Sequence, residues 1–284
     1  MSLQGIESRR NQSLKDYTSI KIGGIAKNIF IVRDADELRG VFAECGSDVY
    51  VLGRGSNILV SDGIIETPVI KLGKEFSFIR EDDGLMDIGG ATPLSLALQY
   101  CLSKDLAGLH NLAGIPASIG GMAVMNASAY GRDMYSLLDK AEVMDKQGGI
   151  SFIEKADIKS AYRWTSLRGQ IVLSVRLSLE RDKNIKAQMR EFLGRRMQSQ
   201  DFSRPSCGCI FKNPVGESAG LLIEKCGLKG LRRGEAQVSL KHANFIVNMG
   251  QASCNDVDYL IQKIKDTVNV RCGIILEEEI ERWV

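Results

Sequence analysis

The stretch Pro205-Ser206-Cys207-Gly208-Cys209-Ile210-Phe211-Lys212-Asn213-Pro214 sets two thiols one residue apart and follows them with an aromatic ring, an ammonium and an amide. Such a pair could clip a metal, close a disulfide, supply a reactive thiol or line a tight turn. A zinc site needs about four ligands. Besides its thiols the chain offers only His110 and His242, and it has no second closely spaced cysteine pair, so a metal is disfavoured. A disulfide across one residue is strained. Cys207 therefore reads as a small turn residue. Cys209, just ahead of Phe211, Lys212 and Asn213, reads as part of a substrate site.

Two glycine-rich stretches carry a different chemistry. In Gly53-Arg54-Gly55-Ser56-Asn57, glycines let successive N–H groups converge on one point and so make a nest for a phosphate, with two side-chain donors beside it. The dinucleotide fingerprint requires a helix directly afterwards. Here the apolar run Ile58-Leu59-Val60-Ser61 follows, which argues against a Rossmann βαβ unit and leaves a hairpin turn as the alternative. The second stretch, Gly114-Ile115-Pro116-Ala117-Ser118-Ile119-Gly120-Gly121, exposes backbone amides in the same way, and neither stretch reads as opening a standard helix. Together they favour a bulky phosphate-bearing cofactor. Further polar residues in apolar surroundings are Arg163, Glu224 and the run Glu277-Glu278-Glu279, each of which on its own reads as a solvated or salt-bridged group. His242 reads as a structural hydrogen-bonding residue.

The elements that must position these groups alternate between strand and helix. Asn28–Asp34 and Asp48–Gly53 read as strands; between them Asp34 is placed to cap a helix, with Glu37 three residues on. Thr92-Pro93 reads as a capping hydroxyl followed by proline at the first helical position, ahead of the stripe Leu94, Ala97, Leu98 and Cys101. Strands are expected over 141–145 and 171–179, and the strand-rich character weakens near residue 183. Beyond it come a helix from Asn184, the two-cysteine turn, a short helix closing on Gly227, a strand over 242–248, a helix whose stripe is Val257, Leu260, Ile261, Ile264 and Val268, and a last strand over 274–284. On such a strand Glu278 would face opposite its two neighbours.

Composition excludes several function classes. With 284 residues, 44% apolar and 25% charged, the chain is an ordinary globular sequence of two or three units. A net charge of +2 gives no field for nucleic acid or an anionic membrane. The first twenty residues lack a signal-peptide core, and the seven scattered cysteines read as reduced cytoplasmic thiols. Nothing points to an obligate protein partner.

At the residues already singled out, the chain resembles the UDP-N-acetylenolpyruvoylglucosamine reductase (MurB) family of flavoenzymes over nearly its whole length, in the shorter of the family's two types. The resemblance lies in Thr18–Ala26, Leu52–Val60, Ala113–Gly131, Tyr162–Ser166, Pro205–Pro214, Ser218–Gly230 and Val238–Asn248, in this order. It implies an α+β fold: a two-subdomain FAD-binding module of the PCMH/VAO-like kind over residues 1–70 and 71–183, and a smaller α+β substrate-binding domain over 184–284 with a C-terminal catalytic strand. It also implies non-covalent FAD, NADPH as co-substrate, and reduction of UDP-N-acetylglucosamine enolpyruvate to UDP-N-acetylmuramate in peptidoglycan precursor synthesis.

By position, the resemblance puts FAD on Gly53, Arg54, Gly55, Ser56, Asn57, Gly114, Ile115, Pro116, Ser118, Gly120 and Gly121, and substrate on Tyr130, Lys212 and Asn213. Arg163 would bind the substrate carboxylate, Glu279 would be the late catalytic glutamate, and Cys209 would take the proton-donor position usually held by serine. A thiol suits that step, because an unperturbed cysteine is roughly 97% protonated at pH 7; its pKa is expected to be ordinary or raised. The chain departs from the family at Ala117, Met122, Ser128, Thr165 and His110, and the last of these is a conceivable covalent tether of the kind flavin oxidases use.

Overall fold

The computed structural model describes residue 3 and residues 5–82 and 85–284. The chain forms two compact units that share it by turns: Met1–Arg9, Asn28–Arg54 and Thr67–Arg196 make the first, and Arg10–Lys27, Gly55–Glu66 and Met197–Val284 the second. Helices are α1 (Ala35–Cys45), α2 (Leu94–Ser103), α3 (Ile119–Val124), α4 (Met134–Leu137), α5 (Ile185–Ser199), α6 (Ala219–Lys225) and α7 (Cys254–Cys272). No helix among the described residues is long and apolar enough to cross a membrane.

In the first unit, Val69–Leu72 lies between the parallel strands Ile25–Val32 and Tyr50–Val51. Helix α1 links the outer two. Asp34 caps the helix as its position predicts, accepting the Glu37 N–H at 2.8 Å, while the Glu37 carboxylate reaches one residue further back than a capping box requires, to the Arg33 N–H at 2.7 Å. A five-stranded antiparallel sheet runs in the order Ile150–Glu154, Leu138–Met144, Ile171–Ser178, Leu85–Gly89, Ile79–Asp82. Its apolar face packs on α2, whose stripe Leu94, Ala97, Leu98 and Cys101 is buried as expected.

The start of α2 differs from expectation. Thr92 is fully buried and turns its hydroxyl to the Phe78 carbonyl at 3.2 Å, while Pro93 itself takes the cap position without a side-chain bond. The reason is tertiary: the first helical N–H, of Leu94, is already taken by the Ala117 carbonyl at 2.9 Å. In return Ile119 N–H bonds the Thr92 carbonyl and Gly120 N–H the Gly90 carbonyl, both at 2.9 Å. The turn at 90–93 thus holds the second glycine-rich loop. That loop does open a helix, α3, contrary to the sequence reading; two glycines in its first turn hide it from propensity.

The second unit is a four-stranded antiparallel sheet ordered Ser206–Cys209, Phe245–Asn248, Ala236–Val238, Arg232–Arg233, with α6 and α7 packed into a common apolar cluster with it. Ser253 and Asp256 form a capping box at the start of α7, and Gly273 ends it in the left-handed region. The stripe of five apolar residues read from the sequence is buried throughout. Asp62 accepts the Cys254 and Asn255 N–H groups at 2.8 and 3.2 Å, which fastens the 61–63 turn to the same helix end.

The chain's last strand is shorter than expected. Only Glu281–Trp283 is strand, paired in parallel with Ile58–Val60; Glu278 makes a single isolated bridge to Phe211. Ion pairing occupies the intervening stretch. Glu278, with 17% of its side chain exposed, is held by Lys265 and by Arg282 at 2.7 Å. Burial pulls the Glu278 carboxyl up, and the two cations overcome it, leaving the group below the ordinary carboxylate range. A depressed carboxyl stabilises the fold above its unfolded pKa, and that contribution disappears as pH falls through the folded value. Glu278→Gln is expected to cost about 1–3 kcal/mol at pH 7. Thermal melts should show the gap to wild type closing as the pH is lowered below about 4.

Candidate active site

In the first unit four non-glycine residues adopt left-handed backbone: Asp105 (φ 54°), and, in segments bonded to one another, Asn126 (φ 43°), Tyr130 (φ 48°) and Arg163 (φ 59°). Such conformations persist only where the surroundings over-determine them, and they gather at functional sites. Here the surroundings are on view. The carboxamide of Asn126, 3% exposed, donates to the Ala161 carbonyl at 3.1 Å and to Asp133 Oδ2 at 3.3 Å, and accepts the Tyr135 N–H at 2.9 Å. Thr165 is fully buried and shares its hydroxyl hydrogen between the Ala123 and Val124 carbonyls at 3.0 and 3.1 Å. The hairpin Ser160–Ala161/Trp164–Thr165, with Arg163 in its turn, is therefore bolted to α3 and to the segment after it. Arg163 Nη1 donates to Ser128 Oγ at 2.7 Å and to the Ser128 carbonyl at 3.1 Å. Tyr130 stacks on Phe192 with ring centroids 4.8 Å apart, and the Arg196 guanidinium lies 5.7 Å from the Tyr130 ring centre.

The two glycine-rich stretches meet in this unit at Gly53 and Ser118, where a Cβ on Gly53 would stand 2.7 Å from Ser118 Oγ. Gly120 is fixed by packing, because a Cβ there would reach the Gly90 and Val172 carbonyls at 3.0 and 3.2 Å. Gly121, exposed, would meet only Ser118 Oγ at 3.3 Å, so its outer face is open for close approach. Gly114 has φ +85° and lies against the Arg196 and Leu193 side chains. Ile115 packs on the core and Pro116 is exposed. Arg54 is exposed, and the half-buried Lys71, which the sequence reading missed, donates to the Gly53 carbonyl at 3.3 Å. Burial, then Arg54, then Arg9, lower the Lys71 pKa, so the spot has an excess of positive charge. Lysine in the otherwise apolar run Pro68-Val69-Ile70-Lys71-Leu72 was the available signal.

In the second unit the cysteine turn is a β-bulge. Ser206 pairs with Val247 and Cys209 with Phe245, so one extra residue is accommodated, at Gly208 with φ +80°. Residues i and i+2 of a regular strand share a face; the bulge breaks that parity. Cys207 enters the core at 1% exposure, where burial pushes its thiol up to about 12, and Cys209 is left half-buried. Neither is in a disulfide. Glu279 N–H bonds the Ile210 carbonyl at 2.8 Å, and the Asn57 carboxamide donates to the Glu279 carbonyl at 3.0 Å. Cys209, Glu279 and Asn57 are thereby brought to adjoining rungs. Lys212 pairs with Glu277, and Asn213 Oδ1 accepts the Ala219 N–H at 3.0 Å, holding the start of α6. Ser56 is half-buried in the adjoining loop. Glu224 is ion-paired to Lys229 at 2.7 Å, the solvated role expected of it.

Residues 26–153 match the FAD binding domain family, and residues 199–283 match the C-terminal domain of UDP-N-acetylenolpyruvoylglucosamine reductase. UDP-N-acetylenolpyruvoylglucosamine reductase 2 of Symbiobacterium thermophilum is 40% identical over 97% of this chain and 92% of its own length. The reductase of Halalkalibacterium halodurans is 38% identical, covering 99% and 95%. The chain belongs to the UDP-N-acetylenolpyruvoylglucosamine reductase family. The crystal structure of the reductase from Thermus caldophilus superposes with a TM-score of 0.84 at 38% identity, over 98% of this chain and 99% of that one. As a member of this family the chain is an FAD-dependent oxidoreductase, of the α+β class that its sequence implies.

The residues of the first unit fit FAD. A positively charged spot at Arg54 and Lys71, the open face of Gly121 and the small-residue contact of Gly53 with Ser118 suit a diphosphate brought close to backbone. His110, the conceivable tether, is 6% exposed and accepts the Gly108 N–H on Nδ1 at 3.1 Å, which gives it a structural role. Gly55 departs from its expected reason for being glycine. It has φ +61°, and a Cβ there would stand 2.1 Å from the Tyr17 carbonyl, so protein packing alone demands glycine. Gly55→Ala is expected to destabilise the FAD-free protein by about 2 kcal/mol or more. Chemical denaturation of apoprotein checks this; an unchanged midpoint would show that packing does not demand glycine there.

Proposed function

We propose that the chain is an NADPH-dependent reductase of UDP-N-acetylglucosamine enolpyruvate, forming UDP-N-acetylmuramate for peptidoglycan in the cytoplasm. The bonding of Glu279 next to Cys209 carries this reading, since it gathers a proton donor and a carboxylate from segments far apart in sequence. When bound, FAD supplies the hydride relay from NADPH to C3 of the enolpyruvyl group. Residues 1–70 and 71–183 serve as its two subdomains and 184–284 as the substrate domain. Gly53, Arg54, Gly55, Ser56, Asn57, Gly114, Ile115, Pro116, Ser118, Gly120 and Gly121 hold the cofactor, joined by Lys71. Tyr130, Lys212 and Asn213 contact substrate.

Arg163 binds the substrate carboxylate and stabilises the enolate-like charge that develops there, a charge present only late in the reaction. Its rigid setting suits this task, because a donor already in place need not reorganise as charge appears. Cys209 protonates C2 as a neutral acid, and Glu279 is the second acid–base group beside it. Lys212, tied to Glu277, sits three residues beyond the thiol and adds positive charge for the anionic substrate.

Anaerobic visible spectroscopy tests the reading. NADPH should bleach the flavin of the holoenzyme, and UDP-N-acetylglucosamine enolpyruvate should restore its colour; bleaching without recolouring would discard this substrate. Cys209→Ala should leave reduction by NADPH intact and slow recolouring by about 10²–10⁴-fold, the range of general acid catalysis. Cys209→Ser should recover much of the rate. Because the protonated thiol is the donor, wild-type turnover should fall as pH rises through the thiol's titration, and the serine variant should lack that limb. An identical limb in both proteins would point to another group.

A further inference from the structure

The hydroxyl of Ser128 has chemistry that the roles above leave unused. Its oxygen accepts from Arg163 Nη1 at 2.7 Å, and the Ser128 carbonyl accepts from the same nitrogen at 3.1 Å. A hydroxyl that accepts from a cation must turn its own hydrogen elsewhere. Among the described residues that hydrogen has no acceptor: the Ser128 side chain makes no bond as donor, although the residue is only half-exposed. The neighbouring guanidinium withdraws charge from the oxygen and makes the O–H a stronger donor.

The place of the serine is fixed as well. Ser128 pairs with Asp133 in a two-residue hairpin, the Asn126 carboxamide fastens this segment to the Arg163 hairpin at Ala161, and Thr165 fastens that hairpin to α3. Serine and arginine therefore move as one body. Glycine, which the family resemblance leads one to expect at this position, has no such hydroxyl.

We infer that Ser128 is a second donor to the carboxylate that Arg163 binds, so that a cation and a neutral hydroxyl grip one end of the substrate together. The inference rests on the reading of Arg163 given above. A hydroxyl here adds selectivity for a carboxylate-bearing nucleotide sugar over one without it, since only the former offers an acceptor to both groups.

The test is ligand titration of the oxidised holoenzyme, followed through flavin absorbance, with UDP-N-acetylmuramate as the carboxylate-bearing ligand and UDP-N-acetylglucosamine as its carboxylate-free counterpart. Ser128→Ala is expected to weaken the first by about 10-fold and to leave the second unchanged. Ser128→Thr, which keeps the hydroxyl, should stay near wild type. In stopped flow, Ser128→Ala should slow flavin reoxidation by enolpyruvyl substrate and spare reduction by NADPH. Equal weakening of both ligands, or of neither, would overturn the inference, and so would a threonine variant as poor as alanine. Arg163→Lys separates the two readings. If it loses carboxylate-dependent affinity while Ser128→Ala does not, only the serine's role falls; if neither variant loses it, the reading of Arg163 falls too.

Discussion

The second unit depends on one demand, that the backbone of residues 277–281 be hydrogen-bonded although regular strand begins only at Glu281. Lys212 N–H meets the Glu277 carbonyl at 2.8 Å, Glu279 N–H the Ile210 carbonyl at 2.8 Å, and Glu281 N–H the Asn57 carbonyl at 2.9 Å. The first two bonds reach the segment after the thiol turn, and the third reaches the end of the first glycine-rich loop. Buried peptide groups must find partners, and satisfying these draws the thiol turn, the end of the first glycine-rich loop and the late glutamate to one edge. The ion pairs of Glu278 with Lys265 and Arg282 fix which of the three consecutive glutamates faces inward.

In the first unit the corresponding constraint is rigidity. Left-handed backbone at Asn126, Tyr130 and Arg163 costs of order 1–3 kcal/mol each. The Asn126 carboxamide and the Thr165 hydroxyl offset this by tying the three segments together. The guanidinium mounted this way is further held at Nη1 by the hydroxyl and carbonyl of Ser128. The second glycine-rich loop is placed with the same economy, by bonds from Ile119 and Gly120 to the 90–93 turn.

The glycines and cysteines carry a common lesson about residue types and causes. Gly121 keeps an open outer face, whereas Gly53, Gly55 and Gly120 are small because the Ser118 hydroxyl or carbonyls of the protein itself crowd them. Cys207 and Cys209 are chemically identical and one residue apart, yet a bulge at Gly208 sends the first into the core and leaves the second accessible. Spacing alone could not separate the members of either set.

Local pattern by itself determined a good deal. Apolar stripes on α2 and α7, the Asp34 helix cap, and a strand rather than a helix after Asn57 were all legible, because each is decided within a few residues by periodicity or capping. The ordered motifs were sufficient to indicate the family and its cofactor. Tertiary structure alone decided the rest. Thr92 lost its capping role to a carbonyl from the loop at 117, α3 formed despite two glycines, and the final strand shrank to three residues around an ion-pair network. The same holds for the interleaving of 10–27 and 55–66 with the C-terminal unit, for Lys71 beside Gly53, and for the bond from Arg163 to Ser128. Each depends on groups distant in sequence competing for one donor, acceptor or space, and that competition exists only once the chain is folded.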